Sequence, residues 1–319
     1  MKTAKNLHFE ILDREWDQMR CPKTGFVFDE LVEKVSCPVC GARKNQVLFV
    51  KKGLSFVQCP SCSLVFINPQ PKQAFLEDHF LKSKAWSVWS KKVLSKEQCR
   101  EDEKKYEHAF QWLSKLRIGH SPKLLDVGSG AGIFLNMARQ RGFEVMGIEP
   151  SVKAADFSEK KFGVDIFTGS FEAFESLSLF DIITFWASLE YNKNVQLAIR
   201  KAVSLLKPRG LLLIFIGGNA HSLVMRTLRE KCVGFIFNRC HSFTPQSLDR
   251  LVLNKGFNLK VRYSLISEIG PIENYLSFDD PYLPKKEEDL FSLKDKKLLE
   301  DIIERNHMGY KFVSIYRKK

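Results

Sequence analysis

The stretch "KLLDVGSGAGIF", residues 123–134, decides the fold. Two leucines run into Asp126 and a valine, and glycines then stand at alternate positions: Gly128, Gly130 and Gly132. A short apolar run ending in a glycine loop reads as a buried strand handing over to a helix. Such a turn exposes backbone N–H groups beside a helix N-terminus, which is where α/β sheets hold nucleotides.

Downstream the pattern alternates. "IFLNMARQRG" predicts a helix ended by Gly142, "EVMGIEP" a strand, and "SVKAADFSEKKFG" a helix opened by Ser151 and closed by Gly163. "VDIFTGS" and "FDIITFWA" read as the third and fourth strands. "VQLAIRKAVSLLKPRG" predicts a helix stopped by Lys-Pro-Arg-Gly, and "LLLIFIG" is the fifth strand. "TPQSLDRLVLNKG" predicts a helix with Thr244 as N-cap. "FNLKVRYSLIS" and "GYKFVSIYRK" supply a sixth and seventh strand. Strands separated by helices require right-handed crossovers and a mainly parallel sheet. The expected fold class is therefore α/β.

The second strong signal is Cys37-x2-Cys40 and Cys59-x2-Cys62. Two residues between thiolates let the backbone curl so that both sulfurs reach one metal at about 2.3 Å, and two such knuckles complete a tetrahedron. Gly41 follows the first pair, where a tight turn favours positive φ. Between the pairs, "QVLFVKKGLSFVQ" reads as a hairpin around "KKG". Together these predict a zinc ribbon whose closed four-thiolate site is structural, with Cys37, Cys40, Cys59 and Cys62 as ligands. The alternative, redox or disulfide pairs, fits a reducing compartment poorly. Cys21, Cys99, Cys232 and Cys240 are scattered and read as ordinary small side chains.

The chain divides accordingly into 1–36, whose structure stays open, a ribbon over 37–70, a helical connector or lid over 71–120, and an α/β domain over 121–319. In the connector, Tyr106, Phe110 and Leu113 keep helical offsets. Hydrophobic residues make up 44% of the 319, enough for a packed core. No window approaches the roughly 18 uncharged apolar residues of a spanning helix. Acids occupy the N-terminal stretch where a signal peptide would be apolar, so a cytoplasmic protein is expected. The net charge of +13 is spread along the chain, with one concentration of 8 basic and 2 acidic residues over 221–262. A nucleic-acid binder usually shows a sharper stripe; nucleic acid stays as an alternative partner. Within that concentration, "HSLVMRTLREKCVGFIFNRCHSF" reads as a solvated amphipathic helix. Its alternative is a substrate-covering insertion whose Arg226, Arg229 and Arg239 bind phosphate or carboxylate.

The loop spacing is G-x-G-x-G; the dinucleotide pattern would need glycine at 133, where Ile133 stands. No phosphate-cradling G-x-x-x-x-G-K-[ST] occurs in the chain. Glu149 ends the next strand, where a carboxylate can accept both hydroxyls of a ribose. Asp126 beside the loop would repel a pyrophosphate but suits a cation. S-adenosylmethionine, with an ammonium, a sulfonium and no phosphate, fits; a nicotinamide or flavin is the alternative.

From about residue 120 the chain resembles the class I S-adenosylmethionine-dependent methyltransferases. With "CPVCG…CPSCSLVFINPQP", "LLDVGSGAG", "GIEPS", "LLKPRG" and "HSFTPQSLDRLVLNKGF", it is similar to a bacterial subgroup in which a zinc ribbon precedes that domain. Members are often linked to sugar, polysaccharide or natural-product pathways. The resemblance implies a Rossmann-like seven-stranded sheet with an antiparallel last strand. It places the cofactor loop on Gly128, Ser129, Gly130 and Gly132 and the ribose acid on Glu149. Where relatives end the third strand in Gly-Asp, this chain has Gly169-Ser170, leaving Phe171 to supply apolar contact. Where relatives read Leu-Glu-His, this chain has Leu189-Glu190-Tyr191.

The expected reaction is in-line methyl transfer to a small-molecule or glycan acceptor. It needs alignment at about 3–3.5 Å in a dry pocket and a base only where the acceptor must lose a proton. Tyr191, His221 and His241 are the candidates for that base. RNA methylation, with ribbon and basic residues gripping the backbone, is an alternative, although "FWASLEYN" lacks the Pro-Pro motif of base amino-methylation. A non-catalytic scaffold is the other.

Overall fold

A computed structural model of the protein describes residues 4–93, 95–116, 118–265 and 291–319. The N-terminal half carries α1 (Ala4–Asp17) and the short strand β1 (Val32–Glu33). The strands β2 (Gln46–Lys51), β3 (Leu54–Gln58), β4 (Val65–Ile67) and β5 (Gln70–Pro71) follow. Three helices come next: α2 (Gln73–Lys82), α3 (Lys84–Val93) and α4 (Lys96–Lys115). Then β6 (Lys123–Val127), α5 (Ile133–Arg139), β7 (Glu144–Glu149), α6 (Val152–Phe162), β8 (Asp165–Thr168), β9 (Phe180–Trp186), α7 (Val195–Leu205) and β10 (Leu206–Ile216) alternate. The chain continues through α8 (Leu223–Leu228), β11 (His241–Ser242), α9 (Pro245–Leu253), β12 (Phe257–Leu265), α10 (Leu293–Arg305) and β13 (Lys311–Lys318).

The seven strands β8-β7-β6-β9-β10-β13-β12 form one sheet. All its pairings are parallel except those of β13, which is antiparallel to both β10 and β12. Alternation along β10 shows why both faces are covered. Leu212, Ile214 and Ile216 point into the core shared with α7 and α9, and Leu211, Leu213 and Phe215 into the core shared with α4 and α5. Strands buried on both sides must be apolar throughout. The crossover from β6 runs over one face and that from β9 over the other, so the order reverses between these neighbours. Their carboxyl ends frame the crevice where such sheets take ligands.

The local ends follow the expected chemistry. Ser151 caps α6 by accepting from Ala154 N–H, and Gly163 closes it at φ 61°. Thr244 and Ser247 form a reciprocal capping box on α9. Two expectations change. Helix α7 stops at Leu205, and Lys207–Gly210 belong to β10, as an irregularity between Leu206 and Leu211 in its pairing with β9. Of the expected sixth strand, residues 266–267 lie outside the described residues.

The hairpin around Lys52 and Gly53 forms as expected. Its sheet is completed from far along the chain: the order is β11-β4-β3-β2, with His241 opposite Phe66 and Ser242 opposite Val65. The expected amphipathic helix over 221–243 is only the six-residue α8 with a short 3-10 turn after it. Beyond it, Phe235 and Phe237 are buried against Phe49, Phe56 and Trp16. Burying those rings against α1 and the β2–β3 hairpin outweighs the local helical preference. No helix among the described residues is long and apolar enough to cross a membrane.

Candidate functional site

The glycine loop leaves β6 at the crevice. Gly128 and Ser129 N–H both donate to Ile148 O, at 2.8 and 3.0 Å, which fastens the loop to β7. Gly130 N–H donates to Glu149 Oε2 at 2.8 Å, and Ser151 N–H to Oε1 at 2.9 Å. Glu149 is therefore oriented by two backbone donors, with lone pairs left on each oxygen for a diol.

All three glycines have positive φ (77°, 54° and 70°), yet their surroundings differ. A Cβ on Gly128 would stand 2.6 Å from Ser188 Cβ, and one on Gly132 1.7 Å from Ser158 Oγ. A Cβ on Gly130 would meet nothing within 4 Å. Two of the glycines answer to protein packing; the third opens onto free space, which is what a ligand lying against the backbone needs. Beside it, Ser129 Oγ is buried with no partner among the described residues. These features fit the ribose of a nucleoside lying against the loop.

Asp126 is buried beneath the loop and accepts from Thr184 Oγ1 at 2.6 Å. Burial pushes its carboxyl up to about 7, Thr184 and Lys105 pull it back, and Glu149 adds to the rise. Burial also raises Glu149. Two carboxyls short of positive charge are relieved by a cation. Phe171 is buried in the core, edge-on to Phe185 at 5.7 Å.

Past β9 and β10 lies a second polar group. Tyr191 follows β9, its hydroxyl accepting from Arg239 Nη2 at 3.1 Å and its ring edge-on to Trp86. His241 is fully buried on β11, where burial drives it down to about 4 and leaves it neutral. Its Nε2 lies 3.4 Å from Gln70 Nε2, and its Nδ1 has no partner among the described residues. His221 sits in the turn after β10, its N–H donating to Asn219 Oδ1, and burial lowers it. Tyr191 and His241 thus flank Glu190, whereas His221 stands apart with Arg226.

Glu190 itself was not singled out by the sequence. It is fully buried, accepts from Gly217 N–H at 2.7 Å through Oε1, and is raised by that burial. Its Oε2 has no partner among the described residues. The available signal was an acid at the carboxyl end of a central strand. A cleft of about 590 Å³ lined by Lys115, Arg209, Lys260 and Arg317 lies at the opposite, amino end of these strands.

The four paired cysteines converge: their sulfurs all lie within 4.8 Å of one another, with Cys37–Cys62 and Cys40–Cys59 each at 3.5 Å. None is in a disulfide. The knuckles match. Gly41 N–H donates to Cys37 O and Ser63 N–H to Cys59 O, and Gly41 and Ser63 share positive φ, 74° and 61°. Bonds of about 2.3 Å in a tetrahedron place sulfurs about 3.8 Å apart. The cluster is sized for one ion.

Comparison with known proteins agrees with this geometry. A family model described as "Methyltransferase domain" matches residues 99–261, just over half of the chain. A ubiquinone biosynthesis O-methyltransferase of Rickettsia canadensis is 26% identical over 176 residues, 52% of this chain and 72% of that protein. Among solved structures, the plantazolicin methyltransferase BpumL in complex with SAH superposes with a TM-score of 0.51 at 14% identity, over 76% of this chain and 94% of that one. A chain from the complex of the Haloferax volcanii Trm112 methyltransferase activator with a methyltransferase gives 0.50 at 14% identity, over 72% and 96%. With the family model matched over residues 99–261, this chain belongs to the methyltransferase-domain family and is an S-adenosylmethionine-dependent methyltransferase.

Proposed function

We propose that the protein transfers a methyl group from S-adenosylmethionine to a small-molecule or glycan-linked acceptor, and that its four cysteines hold a structural zinc ion. The observation that carries the cofactor site is the pairing of Gly130 with Glu149: an open backbone surface whose N–H orients a carboxylate for a ribose. When bound, the cofactor supplies a methyl carbon made electrophilic by a sulfonium. The chain's part is to hold it. Gly128, Ser129, Gly130 and Gly132 give close approach, Glu149 takes the ribose hydroxyls, and Asp126 supplies negative charge beneath the loop.

The acceptor enters where β9 and β10 end. Phe171, packed on Phe185, is proposed to back the cofactor side with an apolar ring, and Tyr191, His221 and His241 are the groups proposed to position the acceptor or take its proton. Support for a small acceptor comes from the Rickettsia relative, whose name places it in quinone biosynthesis. Cys37, Cys40, Cys59 and Cys62 leave a bound ion no open position, so its contribution is to folding rather than to chemistry. The test is titration of wild type and Gly130→Asp with S-adenosylhomocysteine. Binding by the wild type and its loss in the variant support the site; equal affinity in both overturns it.

A further inference from the structure

Resting on the methyltransferase reading above, we propose that Arg239 receives a carboxylate or phosphate group of the methyl acceptor. Its guanidinium donates to Tyr191 Oη at 3.1 Å and to Gly234 O at 3.3 Å. A guanidinium has five N–H groups; Nε has no partner among the described residues. No carboxylate among the described residues lies within ion-pair distance of Arg239; Glu190 acts on it only from beyond that range. Burial works against the charge, yet Tyr191 and Glu190 hold the guanidinium above its ordinary pKa, so it stays a cation. A partly buried cation whose Nε is shut from water and unpaired is costly unless an anion completes it.

The surroundings make room for this side chain. Gly217 and Gly218 directly follow β10, and a Cβ on Gly218 would stand 2.7 Å from Arg239 Nη1. Next to Arg239 in the chain, Asn238 has neither amide atom paired among the described residues. Across from it, Oε2 of the buried Glu190 also has no partner among the described residues. Trp86 closes on Tyr191 with a ring edge at 5.8 Å between centroids, supplying an apolar wall.

The guanidinium is also held in place before any ligand arrives. Along 229–244, Arg229 donates to Leu48 O, and Lys51 Nζ donates to Cys232 O and Phe235 O at 2.8 and 3.0 Å. Ile67 N–H donates to Cys240 O, β11 pairs with β4, and Ser63 Oγ meets Thr244 Oγ1 at 2.6 Å. Every one of these ties runs to the cysteine-knuckle sheet. A planar donor fork fixed this firmly matches planar or tetrahedral oxyanions in a bidentate way.

The test uses full-length, metal-loaded protein saturated with S-adenosylhomocysteine and inorganic phosphate as the probe. Phosphate is titrated into wild type, Arg239→Gln, Arg239→Lys and Gly218→Ala, with amide exchange followed over residues 217–241. The expected result is slower exchange there in wild type, with phosphate affinity at least about tenfold weaker in Arg239→Gln and Gly218→Ala. Arg239→Lys keeps part of it. S-adenosylhomocysteine affinity stays the same in all four. If S-adenosylhomocysteine binds but phosphate protects nothing, or protects Arg239→Gln and Gly218→Ala as well as wild type, the guanidinium is structural and the proposal is overturned. If S-adenosylhomocysteine binds to none of them, the methyltransferase reading fails and this proposal with it.

Discussion

Gly128 and Gly130 stand two positions apart on one loop, yet they answer to different partners. Gly128→Ala meets both positive φ and Ser188 at 2.6 Å, and should cost about 2–4 kcal/mol of stability. Gly130→Ala meets positive φ alone, about 1–2 kcal/mol, but should lose cofactor affinity. Denaturant unfolding beside calorimetric titration separates the two; equal stability losses would contradict the assignment. Asp126 carries a pH signature with a definite sign. Its carboxyl is held up to about 7 against an ordinary 3.8, so the fold favours the proton. Stability from Asp126 is full below the ordinary value and is lost as pH rises toward about 7. A cationic ligand needs the ionised form, so cofactor affinity should fall below pH 7, by up to about tenfold per unit. Asp126→Asn should flatten both trends, read by thermal unfolding and titration between pH 5 and 8. The glycine loop and its bond to Glu149 were legible because their spacing is local. Glu190 was less so: an acid at the end of a central strand was visible, but its burial and its bond from Gly217 N–H depend on residues beyond β10.

Strands and helices around the loop followed from periodicity and punctuation, since the glycines, Ser151 and Thr244 act on their own neighbours. The misreadings fall where distant contacts decide. Residues 232–240 carry rings at 235 and 237, an offset that no single helical face holds, and their partners are Trp16, Phe49 and Phe56. Helix α9 shows the same coupling in a form that can be measured. Thr244 caps it, closes a box with Ser247, and meets Ser63 beside the second knuckle. Thr244→Ala should cost about 1–2 kcal/mol, and Ser63→Ala less. A double-mutant cycle in urea should show the pair coupled; strict additivity would remove the link between knuckle and helix.

Across the whole molecule, the cysteine cluster is continuous with the catalytic sheet. Cys37, Cys59, Cys62, Val57 and Phe66 share one core with Ile183, Phe185, Leu248 and Phe312. Metal removal should therefore reach past the cysteine knuckles. With a chelator, or in Cys62→Ser, exchange should rise over 63–67 and 240–244 and the melting temperature should fall by several degrees. The glycine loop, tied to β7 and Glu149, should keep its protection. Elemental analysis giving no zinc in well-folded protein would contradict the metal assignment. The central claim is that the loop at 128–132 and Glu149 hold S-adenosylmethionine, and the most direct measurement is calorimetric titration of zinc-analysed, full-length protein with S-adenosylmethionine and S-adenosylhomocysteine. The account predicts one site per chain with micromolar affinity, lost in Gly130→Asp. An absence of binding by folded, metal-loaded protein would contradict it.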